Sequence, residues 1–406
     1  MDDMGGSSLQ ERMIAEQVRG TETSMVSYRG DLPEIEEHRF PGGCRKSWFR
    51  MLHRAEWAWH GISPVETEEV LSRIAASEAK RSRPGILDTV AQYGPGNWIY
   101  EFSAEAGQVL REANAAEERG GDPTSLLLRA AHLYSTAAYP FLRRDNASEK
   151  ALRQSVSILE RATGAREISA TDGGKTVKAL LRFEKDRSQS PLVVVLPDLE
   201  SCSVDFDPLY ENYFRPAGLA MLTIDPPGCG MSAQFDLTED CSLVCRLIID
   251  ALRDEPAVDT RRISVFAVRF GGNIALRLSA MRPGLFSHMC LVSPPADYIF
   301  TNAEAQNLIP GMLRAVFMNR LGRESVWPAA AAKSRIFSLS LQGVFRTGIH
   351  VPLQIIGMKG DPLVPESDIS KISDAADVSD VILLERGKMA AMLDEAVRSA
   401  VDWYLR

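Results

Sequence analysis

Residues Ala267-Val268-Arg269-Phe270-Gly271 lie between an apolar run and a helical stretch. That is the strand–turn–helix setting in which a G-x-S-x-G elbow presents a nucleophile. Small residues must flank such a turn because the backbone packs closely, and Ala267 and Gly271 meet that need. The central position holds Arg269. A guanidinium stays protonated and has no usable lone pair, so it does not attack a carbonyl. Acyl transfer through this elbow is closed. What Arg269 can do is anchor or polarise an anionic oxygen.

The groups that would work beside it are acidic. The segment Pro197-Asp198-Leu199-Glu200-Ser201 follows an apolar run at the place where backbone N–H groups help hold an oxyanion. Pro197 has no N–H, so Leu199 and Phe270 are the expected donors. Glu200 is the first choice for general acid or base, with Asp198 and Asp361 behind it. An ion pair between Arg269 and Glu200 is the bland alternative. Asp361, in Gly360-Asp361-Pro362, either orients a histidine or caps a turn, and both readings stay open. A triad histidine should follow the last strand, near 385–389. The six histidines are His38, His53, His60, His132, His288 and His350, so none stands there. Trp98, Tyr100 and Tyr139 are the aromatic candidates for a substrate pocket, with core packing as the alternative for each.

The positioning elements fall into two grammars. Residues 1–43 carry no sustained apolar period and read as a loosely ordered arm. Residues 44–165 read as a helical domain. Trp48, Leu52, Ala55 and Trp59 share a helical face, Ser63-Pro64 with Glu66 forms a capping box, and further helices are expected at 101–117, 123–138 and 147–162. Residues 166–406 read as a sheet domain. A hairpin turns at Asp172-Gly173-Gly174, and six runs follow as buried parallel strands: 192–196, 220–224, 263–268, 289–292, 353–356 and 381–384. A helical insertion at about 302–347 interrupts the alternation. Asp225-Pro-Pro-Gly-Cys-Gly-Met-Ser232 is a tight turn after a strand, in which Cys229 and Ser232 read as architectural. Together these imply an α/β-hydrolase fold with a mostly parallel sheet and an all-helical N-terminal cap domain lying over the carboxyl ends of the strands.

Composition narrows the function classes. The net charge of −8 is spread along 406 residues without a basic block, so neither nucleic acid nor an anionic membrane is an expected partner. No apolar stretch approaches the ~20 residues of a membrane span. The start, Met1-Asp2-Asp3-Met4, is unlike a secretory signal, and a cytoplasmic location is expected. The six cysteines form no CxxC pair; no metal and no cofactor are expected.

These residues and their neighbours resemble the fermentation–respiration switch protein (FrsA) family, an esterase-like group. The resemblance rests on Glu22-Thr-Ser24, the stretch Trp48 to Gly61, Gly96 to Glu101, Ala138-Tyr-Pro140, Ala220 to Asp225, Leu237 to Asp240 and Val268 to Asn273. It implies esterase-like or cofactor-free decarboxylation chemistry and a protein partner, and it makes the elbow arginine a family trait. The sequence departs from the family at Pro197-Asp198, at Ala267 and across 385–392.

The resulting expectation is a cofactor-free enzyme acting on a small carbonyl or carboxylate molecule by acid–base chemistry, without an acyl-enzyme. The reaction would be lyase-like cleavage, decarboxylation or hydrolysis. A FrsA-like carboxylesterase and a catalytically silent metabolite sensor or protein-binding regulator are the alternatives, and a homodimer is a further expectation.

Overall fold

The computed structural model describes residues 47–187, 189–322, 336–385 and 389–405. The expected arm at 1–43 lies outside the described residues. The helical half holds α1 (Arg54–Trp59), α2 (Pro64–Ala76), α3 (Trp98–Glu118), α4 (Thr124–Ala138) and α5 (Asn146–Thr163). Local signals set their ends. The Asn97 side chain accepts from the Tyr100 amide to start α3, and Asp145 accepts from Ala147 and Ser148 to start α5. Gly164, at φ 68°, closes α5 in the left-handed region.

Two details of this half differ from the sequence reading. Ser63 is the N-cap of α2, but its hydroxyl makes no cap hydrogen bond. Glu66 turns instead to Arg129 of α4, at 2.9 Å, because a guanidinium is a stronger partner than a neutral amide. The face drawn through Trp48 and Trp59 is not one helical face, since α1 begins only at Arg54. Trp57 is the buried ring, set against Trp98, Phe102 and Tyr139. Ala55 and Trp59 are exposed.

From Arg166 the chain builds β1 (Arg166–Asp172), β2 (Lys175–Arg182), β3 (Ser190–Leu196), β4 (Ala220–Thr223), β5 (Val258–Val268), β6 (Met289–Val292), β7 (Leu353–Met358) and β8 (Ser379–Leu384). All six apolar runs form strands. They join the hairpin β1–β2 in one sheet of order β1-β2-β4-β3-β5-β6-β7-β8. The pairs β1–β2 and β2–β4 are antiparallel and the rest are parallel. Every residue of β7 is buried, as a strand covered on both faces requires. The crossovers carry α6 (Leu243–Ala251) and α7 (Phe270–Met281). After β6 come α8 (Tyr298–Thr301), α9 (Ala303–Asn307), α10 (Gly311–Arg320) and α11 (Gln342–Thr347), then α12 (Glu366–Asp374) and α13 (Met389–Tyr404). This is an α/β-hydrolase fold.

One apolar core runs from Phe49 and Trp57 through Phe102 and Tyr139 to Leu180, Phe270 and Ile355, so the helices and the sheet share an interior. Arg320, the last residue of α10, crosses that junction fully buried. Its Nη1 donates to the carbonyls of Phe141 (2.7 Å) and Gly228 (2.9 Å), and its Nη2 to Pro140 (2.9 Å) and Leu199 (2.8 Å). The turn at 225–232 is architectural. The Asp225 carboxylate accepts from the amides of Ser203 and Met231, each at 2.7 Å. A Cβ on Gly230 would stand 2.0 Å from an Asp225 oxygen. Burial pushes the Cys229 thiol up to about 12, far from a reactive thiolate.

Candidate functional site

Strand β5 passes into α7 through Arg269, at φ 50° and ψ −117°. For a non-glycine residue that conformation costs roughly 1–3 kcal/mol. A Cβ at Gly271 would meet the Leu196 carbonyl oxygen at 2.0 Å, and one at Gly272 would meet Pro294 at 2.6 Å. The tight approach of β3 to the elbow is therefore open only to glycine. Arg269 borders a cavity of about 630 Å³. One wall comes from the helical half, with His53, Glu56 and Tyr139. The other comes from the sheet half, with Asp198, Leu199 and Glu200 of the loop after β3 and Phe270 at the start of α7.

Arg269 Nη1 lies 2.8 Å from Asp361 Oδ2, an ion pair without the alignment of a hydrogen bond. The Asp361 side chain is wholly buried, and its other oxygen accepts from the amides of Leu363 (2.9 Å) and Val364 (3.2 Å). Of the two sequence readings of Asp361, the turn cap is the one the structure shows; its remaining oxygen faces Arg269 and no histidine. The bland alternative, an ion pair between Arg269 and Glu200, is not what the structure shows. Glu200 accepts from Tyr139 Oη at 3.2 Å and lies 3.8 Å from His53 Nε2. It acts on Arg269 only through the field of the cavity, as does Asp198.

His53 is a cavity-lining side chain that the sequence reading did not single out. It enters from the helical half, one residue before α1. Its Nδ1 lies 3.4 Å from Glu56. Burial disfavours its charge, but Glu200 and Glu56 outweigh that and raise its pKa to about 9. His53 is thus an imidazolium at neutral pH. The only sequence signal was its place in the Trp48–Gly61 stretch; no spacing rule links it to Glu200 or Arg269.

Asp198 occupies the oxyanion position. Its Oδ1 accepts from the amides of Leu199 (2.8 Å) and Phe270 (3.2 Å), the two donors expected to serve a developing oxyanion. Burial and the neighbouring Glu200 carry its carboxyl up to about 6, against the pull of Arg269. The site therefore holds one of its own carboxylates where the fold usually receives a substrate oxygen.

Of the aromatic candidates only Tyr139 reaches the cavity. Trp98 lies in the helical core, its Nε1 donating to the Thr136 carbonyl at 2.9 Å and its ring under the Arg50 guanidinium at 4.6 Å. Tyr100 packs against Tyr93 and does not line the cavity. Both sit at the start of α3, and neither takes part in the wall that faces the elbow.

Comparison with known proteins follows the same lines. The family described as "Esterase FrsA-like" matches residues 4–405. Esterase FrsA of Photobacterium profundum is 31% identical over 415 residues, covering 99% of each chain. Esterase FrsA of Yersinia pestis (strain Pestoides F) is 30% identical over 410 residues, covering 98% of this chain and 99% of its own. Among solved structures, 2,6-dihydroxy-pseudo-oxynicotine hydrolase is similar with a TM-score of 0.69 at 18% identity, over 86% of this chain and 94% of its own. At that identity the likeness concerns the fold. Among the described residues no helix is long and apolar enough to cross a membrane.

Proposed function

Because this chain belongs to the FrsA-like esterase family, we propose that it is a hydrolase of small carboxylic esters in which water, rather than an elbow side chain, attacks the carbonyl. The observation that carries this reading is the meeting of Arg269, His53 and Glu200 on one cavity. Arg269 polarises the ester carbonyl. The Glu200 carboxylate takes a proton from the attacking water. The His53 imidazolium gives its proton to the departing alkoxide, and the proton held by Glu200 returns to His53 across their contact. The products are the alcohol and the carboxylic acid, which loses its proton to solvent.

The amides of Leu199 and Phe270 assist only when the carbonyl oxygen replaces Asp198 on them. Such donors each contribute about 3 kcal/mol to acyl-transfer transition states elsewhere, so the displacement sets a large part of the barrier. Lyase-like cleavage and decarboxylation now rank below hydrolysis, since the relatives carry esterase names. A keto acid stays as the second substrate class, because a buried guanidinium also suits a substrate carboxylate.

The test is turnover of p-nitrophenyl acetate and butyrate, with pyruvate and 2-ketobutyrate as the other arm. Ester hydrolysis lost in both Glu200→Gln and His53→Gln supports the reading. Carbon dioxide release from a keto acid without ester turnover would overturn it.

A further inference from the structure

A second cluster lies deeper along the same cavity, and the hydrolytic reading makes no use of it. His60 follows the last residue of α1, His132 sits in the middle of α4, and Asp205 lies in the short helical turn after β3. One ligand atom from each falls within 4.8 Å of the others. The residues are 7%, 2% and 8% exposed, so all three are more than nine-tenths buried. His60 and Asp205 border the cavity, while His132 is not among its lining residues.

The imidazoles are not explained as a hydrogen-bonded pair. Their rings stack, with centroids 5.0 Å apart and planes 22° from parallel. Nε2 of His60 and Nδ1 of His132 are buried without a hydrogen-bond partner. Burial keeps both rings neutral, with His60 held well below its usual range and His132 lowered to about 4. Each therefore carries a free lone pair in a place where an unsatisfied polar atom is costly.

We propose that His60, His132 and Asp205 form a binding site for a divalent cation of the zinc class, with an open coordination position towards the cavity. Two neutral imidazoles and one carboxylate are a borderline N/O donor set that such ions prefer. The supporting groups are already in place. The Asp205 oxygens accept from Ser135 Oγ (2.7 Å) and the Cys202 amide (2.9 Å), which orient the carboxylate and leave lone pairs. The charge fits as well. Glu56, Asp198, Glu200, Asp205 and Asp394 line the cavity, against Arg54, Arg269 and His53. Closure onto a metal needs the donors to draw in to about 3.4 Å, as a tetrahedral set of metal–ligand bonds of roughly 2.1 Å requires.

The proposal stands apart from the hydrolase reading, and its test reads metal rather than turnover. The full chain, stripped with chelator, is titrated with Zn²⁺ by calorimetry and with Co²⁺ by visible absorption. One equivalent should bind, with the absorption bands of a four- or five-coordinate Co²⁺. His60→Gln and Asp205→Asn should each weaken binding at least tenfold while circular dichroism stays that of the wild type. His132→Gln should do the same if it folds, and His350→Gln, on the exposed surface, should change nothing. Wild-type binding absent at millimolar metal, or binding lost in His53→Gln and kept in His60→Gln, would overturn the assignment.

Discussion

Arg269 and Asp361 face one another at 2.8 Å, where the elbow after β5 meets the loop after β7. In a triad enzyme those two places carry the nucleophile and the acid, with a histidine between them. Here the arginine at the elbow reaches the acid directly.

That pairing decides what substitution should do. Arg269→Met leaves a wholly buried carboxylate without its counter-ion and should cost about 3 kcal/mol in urea denaturation. Adding Asp361→Asn should recover at least 1 kcal/mol of the loss. Strictly additive losses would show that the two side chains do not share one interaction.

His53 should give the protein an alkaline instability. Its folded pKa of about 9 lies above the unfolded value of 6.5, so the stabilisation is complete below about 6.5 and is lost as pH rises through 9. The change is on the order of 3 kcal/mol at most. Melting curves from pH 7 to 10 should show it in the wild type and lack it in His53→Gln. Ester turnover should fall over the same alkaline limb as the imidazolium loses its proton.

Asp198 should compete with ligands for the two amides. Removing it in Asp198→Ala should strengthen butyrate binding about tenfold at pH 7, roughly 1.4 kcal/mol. Wild-type affinity should itself rise as pH falls below about 6, where the carboxyl takes up a proton. Asp198→Ala should lack that dependence. Equal affinities and equal pH profiles in calorimetry would mean that Asp198 never leaves.

A fluorophosphonate probe should leave every serine unlabelled. Arg269 fills the elbow, and Ser232 is fully buried in the architectural turn. Stoichiometric labelling of one serine, located by mass spectrometry, would contradict attack by water and restore an acyl-enzyme.

Much of this was legible in the sequence, for local reasons. Each parallel strand carries a short, mostly apolar run, and the elbow's small residues are demanded within five positions of Arg269. The pocket was less legible because its pairings are long-range. Nothing near residue 200 announces that Glu200 will meet His53 and Tyr139, and a search for a histidine after β8 looks at the wrong end of the chain. Trp98 misled for a related reason. A large aromatic ring near a helix start suits a pocket and a core equally, and only the packing of Trp57 and Arg50 against it decides. Asp198 reads in the sequence as a general acid or base behind Glu200; its bond to the Phe270 amide depends on how β3 and β5 lie side by side.

The guanidinium of Arg320 has a consequence for access. It ties Pro140 and Phe141 of the helical half, Leu199 beside the elbow and Gly228 of the tight turn to the end of α10, all through main-chain oxygens that no side-chain change can remove. A hinged lid would have to break these bonds together and strand a cation in an apolar interior. The two halves are therefore latched, and exchange of small molecules falls to rotations of side chains along the cavity wall. Ligand size should be limited by that gate more than by the 630 Å³ within.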